Sequence, residues 1–372
     1  MMDSGWVLAL SGCLVGAVIG YAARRSHFCT MAALERHWYA GDDRPLRAWA
    51  LAAFTALIAT QLLSAAGLVT IEKSFYLTEP LPLAGAIVGG LMFGVGMALV
   101  GTCGFGALVR LGGGNLRALV VLTGLGLAAL AAQRGVTAHV RAALLDPLSI
   151  DLTRFGGQSA GTLLSRVTGL DIALPIALLV GAAGLWWVFK SASFRADRKR
   201  LIAGIVIGLC IAAGWVITSN YAALAYHPVQ IEAGSFVMPV GETILQIITV
   251  TGELPDYGVG LVVGVFLGAA VSAFRSDDMR WEACDDAREL SRHLLGAFMM
   301  GTGGVFALGC TIGQGVSAFS VMAISAPIVM ISIAAGARMG LGMLVEGTPF
   351  SFIADWRAPK TLAKAQPAAT KR

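Results

Sequence analysis

The sequence predicts an all-α, polytopic membrane protein. It should have about nine transmembrane helices, several re-entrant half-helices and an internal two-fold pseudo-repeat. The first observation behind this is composition: 56% of the 372 residues are hydrophobic and only 13% are charged, against about 25% charged in soluble domains. The second is run length. The apolar stretches suit helices rather than barrel strands, and in hydrocarbon a helix satisfies its backbone N–H and C=O groups internally. The third is a repeat, in which Gly89–Gly106 (GGLMFGVGMALVGTCGFG) returns as Gly296–Gly313 (GAFMMGTGGVFALGCTIG). A shift of 207 positions pairs Gly89 with Gly296, Gly94 with Gly301, Gly96 with Gly303, Cys103 with Cys310 and Gly106 with Gly313. Each copy reads as a short apolar helix ending in a Gly-bounded turn that carries one cysteine. Two interrupted segments in corresponding halves of a membrane protein point to a small-solute path at the midplane.

The first segment lacks a basic leader region and an A-x-A site, so Trp6–Tyr21 reads as a retained span. Its Gly12, Gly16 and Gly20 form one face on which another backbone can pack. Ser26–Met31 (SHFCTM), with the small residues after it, is too short to span and reads as a half-helix. A span over about Leu46–Leu68 leads into the loop Val69–Pro82, where Glu72 and Glu79 face one Lys73. After the first repeat copy, Gly112–Asn115 links to a span over Leu116–Ala132. Gln133–Thr168 is mildly amphipathic, holds Arg134, Arg141, Arg154 and Arg166, and has room for a half-helix over Ser159–Ser165. Ile172–Phe189 and Leu201–Thr218 are spans separated by the basic Lys190–Arg200. Asn220–Asp256 lacks Lys and Arg, carries Glu232, Glu242, Glu253 and Asp256, and encloses a short re-entrant piece over Thr243–Val250. Gly258–Phe274 is a span whose Gly260, Gly264 and Gly268 echo the first. Arg275–Arg292 is a charged loop, and Val316–Val345, beyond the second repeat copy, is apolar and interrupted at Pro327 and Gly336.

Basic residues gather at Arg24–Arg47, Lys190–Arg200, Arg275–Arg292 and the tail. The cytoplasmic bias of Lys and Arg places the N-terminus outside and the C-terminus in the cytoplasm, which requires an odd number of spans. The expected organisation is one integral membrane transport domain over 1–355, with repeat halves of about 6–190 and 201–345, and a basic cytoplasmic tail over 356–372.

Six cysteines with no C-x-x-C and no Cys/His cluster argue against a zinc site or a redox pair. No catalytic residue, metal or cofactor is expected. Cys13 and Cys210 sit mid-span and read, like Cys284 in its charged loop, as structural thiols. Cys29, Cys103 and Cys310 instead share a turn bounded by glycine or small residues at the end of a short apolar piece. A thiol is a weak donor and a soft, polarizable acceptor. Thiols beside half-helix N-termini suit a small anion with a soft sulfur or selenium atom, because free N–H groups there stabilise negative charge. The thiols must stay protonated, since a thiolate would repel an anion. A fixed Lys or Arg would hold the anion too tightly, and these turns contain none. Gly101, Gly104 and Gly309, beside the cysteines, and Gln314 complete the expected substrate pathway.

SHFCTMAA, GTCGFGALVRLG and ALGCTIGQGVSAFS resemble the cysteine motifs of the YeeE/YedE family of inner-membrane proteins, over about Gly12–Gly342. The resemblance implies thiosulfate uptake across the bacterial inner membrane, with a periplasmic N-terminus. It implies three cysteines, here Cys29, Cys103 and Cys310, that hand the anion inward by S–H hydrogen bonds. It also implies a separate cytoplasmic sulfur-carrier protein as partner; the net charge of +5, with its basic residues in loops, does not suggest nucleic acid. Another sulfur or selenium species stays open as substrate. So does a membrane thiol or persulfide oxidoreductase, for which Cys29, near His27 and Arg25, is the candidate activated thiol.

Other polar residues carry two readings each. Arg110 and Gln314 read first as an interfacial anchor and a helix-packing hydrogen bond, and second as anion contacts at a pore mouth. Glu242 and Gln246 flank the outer re-entrant piece and are further candidates there. His27 reads first as a headgroup-level or loop residue and second as a proton relay, Arg338 and Glu346 as a buried or interfacial pair, and Trp186 and Trp187 beside Lys190 as interfacial belt residues rather than a stacking site.

Overall fold

The computed structural model describes residues 4–78, 80–152, 157–170, 172–225, 229–249, 255–284 and 286–348. Glu79, Arg154, Glu253 and the 356–372 tail, which the sequence analysis singled out, lie outside the described residues. The helices in order are α1 (Ser4–Ser26), α2 (Thr30–Glu35), α3 (Arg44–Ala65), α4 (Phe75–Thr78), α5 (Leu83–Val100), α6 (Gly104–Gly112), α7 (Leu116–Arg134) and α8 (Val136–Leu144). They continue as α9 (Ala160–Thr168), α10 (Ala173–Phe189), α11 (Ala192–Ala196), α12 (Arg198–Leu224), α13 (Met238–Ile248), α14 (Tyr257–Arg275), α15 (Ala287–Phe306) and α16 (Ser325–Leu341). A helix over 311–320, mostly in wide π turns, lies between α15 and α16. Among the described residues, β pairing is limited to isolated bridges between loops.

Seven helical stretches, those containing α1, α3, α5, α7, α12, α14 and α16, are long and apolar enough to cross a membrane. With α10 (17 residues) and α15 (20 residues) the long helices among the described residues number nine. Loop contacts sort their ends into two faces. On one, Arg24 pairs with Asp278 at 2.8 Å, Asn115 bridges to Glu282, and Arg47 reaches the Val188 carbonyl. This basic face gathers the Arg24–Arg47, Lys190–Arg200 and Arg275–Arg292 loops. On the opposite face, Ser74 bridges to Ile231 and Leu81 to Ile150. Leu14, Leu179, Trp186, Phe274 and Ile331 are exposed on the bundle's flank. Apolar exposure of this extent marks a surface made for lipid.

The glycines fix the packing. Gly12, Gly16 and Gly20 of α1 lie on the backbone of α14, and Gly260, Gly264 and Gly268 of α14 lie on that of α1. A Cβ at Gly268 would sit 1.9 Å from the Ala17 carbonyl oxygen, so only glycine permits this approach. The repeat glycines meet each other as well: Gly89 approaches the Gly303 carbonyl, Gly303 that of Gly89, Gly96 that of Gly296, and Gly296 that of Gly96. The shift of 207 positions converts one of these contacts into the other, which is what a two-fold axis through the α5–α15 crossing requires.

Three expectations are corrected. The helix before each cysteine turn is full length, 18 residues in α5 and 20 in α15, and the short helices are those that follow, α6 and 311–320. Gly336 does not interrupt the last apolar stretch: it packs on the Leu91 carbonyl inside an unbroken α16. Pro327 does not interrupt it either, because it sits in the first turn of α16, where its missing N–H is no loss; the break comes at 321–324.

Candidate functional site: a line of thiols between two cavities

Each turn cysteine is the residue just before a short helix. Cys29 precedes α2 and Cys103 precedes α6, both with extended backbone, and Cys310 precedes the 311–320 helix. A residue in that position can accept a hydrogen bond from an N–H of the first helical turn. Two of the cysteines do so with sulfur. The Gly106 N–H donates to Cys103 Sγ at 3.4 Å, and the Gly313 N–H to Cys310 Sγ at 3.3 Å. Gly106 and Gly313 are themselves a repeat pair, so the repeat preserves both the thiol and the amide it receives. Cys29 makes no such bond; its Sγ lies 3.7 Å from Thr102 Oγ1.

The three side chains follow one another. Cys29 faces Cys103, Cys103 lies beside Thr311, and Cys310 lies against the backbone of Phe236. Tyr76 and Ser235 come next, admitted by Gly313: a Cβ there would sit 3.0 Å from Tyr76 Oη and 3.2 Å from Ser235 Oγ. Cys103 and Cys310 are buried, Cys29 is half-buried, and all six cysteines are free. Phe28, Phe105 and Phe236 stand in a row beside the thiols, with ring centroids 6.4 and 4.9 Å apart.

A cavity opens at each end of this line. At the basic face a cavity of about 220 Å³ is lined by Thr102, Arg110, Arg117, Glu289, Arg292 and His293. Toward the opposite face a cavity of about 140 Å³ is lined by Ser235, Arg141, Gln230, Glu232, Glu242 and Asp256. Burial, with the negative charges of Asp256 and Glu242, pushes the Glu232 carboxyl well above the usual carboxylate range.

The remaining sequence candidates divide. Gly101 takes a left-handed φ of 76° to close α5, and its carbonyl accepts from Arg110 at 3.0 Å. Arg110 is therefore anchored to the turn, and it also lies near enough to Cys29 to act on it electrostatically. Gly104 lets Leu125 and the Phe236 carbonyl close on the start of α6, and Gly309 takes a φ of 154° against Gln314. Gln314 is buried with its amide engaged: Nε2 donates to the Ala307 and Leu308 carbonyls at 2.9 and 3.1 Å, and Oε1 accepts from Ser325. It ties down the Cys310 turn, as its packing reading has it. Glu242 lines the cavity toward the opposite face, whereas Gln246, one turn along α13, is not among the lining residues. His27 is an exposed residue in left-handed conformation. Arg338 pairs with Glu346 at 3.3 Å, and both bond Tyr39. Lys190 and Arg47 stack on Trp186 and Trp187.

Sequence reasoning missed Thr102, Thr311, Tyr76, Ser235 and His293. For the threonines a signal existed, because one neighbours each turn cysteine: Thr30 after Cys29, Thr102 before Cys103 and Thr311 after Cys310. The others come from distant segments that carry no local mark.

Helices long enough to cross a bilayer, packed around a cluster of free cysteines with a cavity on either side, define a polytopic membrane protein. The sulphur transport family profile matches residues 25–339, so the chain belongs to that family, the one its cysteine motifs resemble. It is 28% identical over 323 residues to the thiosulfate transporter TsuA of Spirochaeta thermophila, covering 85% of this chain and 92% of that one. It is also 25% identical over 335 residues to the thiosulfate transporter TsuA of Escherichia coli, covering 83% and 86%.

Proposed function

We propose that the protein takes thiosulfate across the bacterial inner membrane along Cys310, Cys103 and Cys29, without covalent chemistry. The observation that carries this reading is the line of free thiols between two cavities. Thiosulfate's terminal sulfur is a soft acceptor for S–H donors. Each donor is weak, so the anion is passed on rather than trapped. The N-termini of α6 and of the 311–320 helix favour negative charge by about 0.3–1 kcal/mol each, up to ~2 where partly buried. Gly101, Gly104, Gly309 and Gln314 shape the turns that aim the thiols. Lys and Arg bias makes the basic face cytoplasmic, with the N-terminus periplasmic, and uptake then ends where a cytoplasmic sulfur-carrier protein can receive the anion.

The test is uptake of labelled thiosulfate into liposomes holding the purified protein. Flux that falls to the empty-liposome level with Cys103→Ala or Cys310→Ala supports the reading, and unchanged flux in both variants ends it. The adjacency of Cys29 and Cys103 favours a second reading, thiol or persulfide chemistry. It requires a covalent sulfur adduct in mass spectra of protein trapped during turnover, where the transport reading expects none.

A further inference from the structure

The cavity at the basic face holds more than an exit needs. His293 on α15 is only 6% exposed, and its Nδ1 is buried without a hydrogen-bond partner. Such an atom carries an unrepaid desolvation cost unless something meets it. Its neighbours in the cavity differ in how their charge is used. Arg117 pairs with Glu289 at 2.7 Å, and Glu282 accepts from Asn115 at 2.7 Å. Arg110 donates to the Gly101 carbonyl, and neither Arg110 nor Arg292 forms an ion pair among the described residues. The cavity therefore brings together two uncompensated guanidinium groups, a buried imidazole nitrogen and Thr102, whose hydroxyl is 3.7 Å from the Cys29 thiol.

We infer that this cavity is a second anion site, built to hold the oxygen end of the substrate after the thiols release its sulfur end. The inference rests on the transport reading for the identity of the substrate. The thiol line offers soft, weak donors. Arg110, Arg292, His293 Nδ1–H and the Thr102 hydroxyl offer hard ones, suited to a sulfonate-type group with three oxygens. The handover needs no conformational span, because Thr102 touches the last thiol and lines the cavity. Arg117 and Glu289 neutralise each other, which limits the net positive charge and so keeps the site from becoming a trap.

The experiment measures equilibrium binding of labelled thiosulfate to the purified full-length Cys103→Ala protein, in which the line is cut. Binding should persist in that background. It should weaken at least tenfold on adding Arg110→Ala or His293→Ala, stay within about threefold on adding His293→Gln, and stay within twofold on adding Lys190→Ala at the interfacial Trp186. Sulfate should compete, since it presents the same oxygens. Unchanged gel-filtration profiles certify that the variants are folded, and the Gln variant keeps the test valid if His293→Ala is not. No measurable binding in the Cys103→Ala background, equal binding in the Arg110→Ala and His293→Ala additions, or no competition by sulfate overturns the inference. Failure of the transport reading would appear elsewhere, as thiosulfate uptake that persists in Cys103→Ala liposomes.

Discussion

The cavity beside Ser235 carries Glu232, Glu242 and Asp256 around a single Arg141, whereas the cavity beside Thr102 carries Arg110, Arg117 and Arg292 against Glu282 and Glu289. One end of the thiol line thus carries more carboxyls than guanidinium groups and the other the reverse, although both lie beside the same row of cysteines. The difference teaches that the two steps an anion must take are governed by different physics. On the transport proposal, passage rests on soft hydrogen bonds and helix ends. On the same proposal, entry rests on the charge state of the carboxyls beside Ser235.

The largest expected effect breaks the comparison at its middle. Ser caps a helix at least as well as Cys, so Cys103→Ser and Cys310→Ser should stay folded, with a Tm equal to or above that of the parent. A hard hydroxyl cannot replace a soft thiol, so thiosulfate uptake should fall at least a hundredfold, while Cys284→Ala in the basic-face loop stays within twofold. Retained uptake in both serine variants would mean the sulfurs serve only as caps.

Next in size is the pH profile of entry. The Glu232 carboxyl titrates above the usual range because it is buried near Asp256 and Glu242. Tyr76 and Tyr257 also face it, and Arg141 is the cation in the same cavity. Below its raised pKa the carboxyl is neutral and the anion enters; as pH climbs through that value a further negative charge appears and uptake declines, by at most about tenfold per pH unit for one group. Glu232→Gln stays neutral and should lose that decline. Liposome flux between pH 5 and pH 9 measures it, and identical profiles for the parent and Glu232→Gln would remove Glu232 from the entry step.

The smallest effect on transport should come from the frame both cavities share. Gly96→Ala places a Cβ 2.5 Å from the Gly296 carbonyl oxygen, and overpacking of this kind costs about 1–3 kcal/mol. Thermal unfolding followed by near-UV circular dichroism should show a lowered Tm, with uptake per folded molecule reduced less than threefold.

Much of this architecture could be read from the chain. The spacing of Gly12, Gly16 and Gly20 announced a backbone-close helix face, and α14 supplied the matching one. The paired Cys103 and Cys310 announced equivalent turns, and both proved to be capping positions that receive an N–H from the paired glycines. The misreadings also have local causes. Pro327 and Gly336 look like helix breakers, but one lies in a first turn and the other under a neighbouring backbone, where glycine is required for contact rather than for a bend. For Gln314 the packing reading stands first, and two carbonyls of the preceding turn and Ser325 do occupy its amide.

By itself the sequence determined the membrane setting, the long helices and the two-fold relation, because each is written as period, run length or repeat along one chain. Only the tertiary structure decided that Cys29 faces Cys103, that Tyr76 and Ser235 stand at one end of the line, and that Arg110, Arg292 and the unpaired nitrogen of His293 stand at the other. Those groups come from segments far apart in sequence. Their meeting is set by how closely glycine-faced helices cross, a property of the packed bundle that no single segment carries.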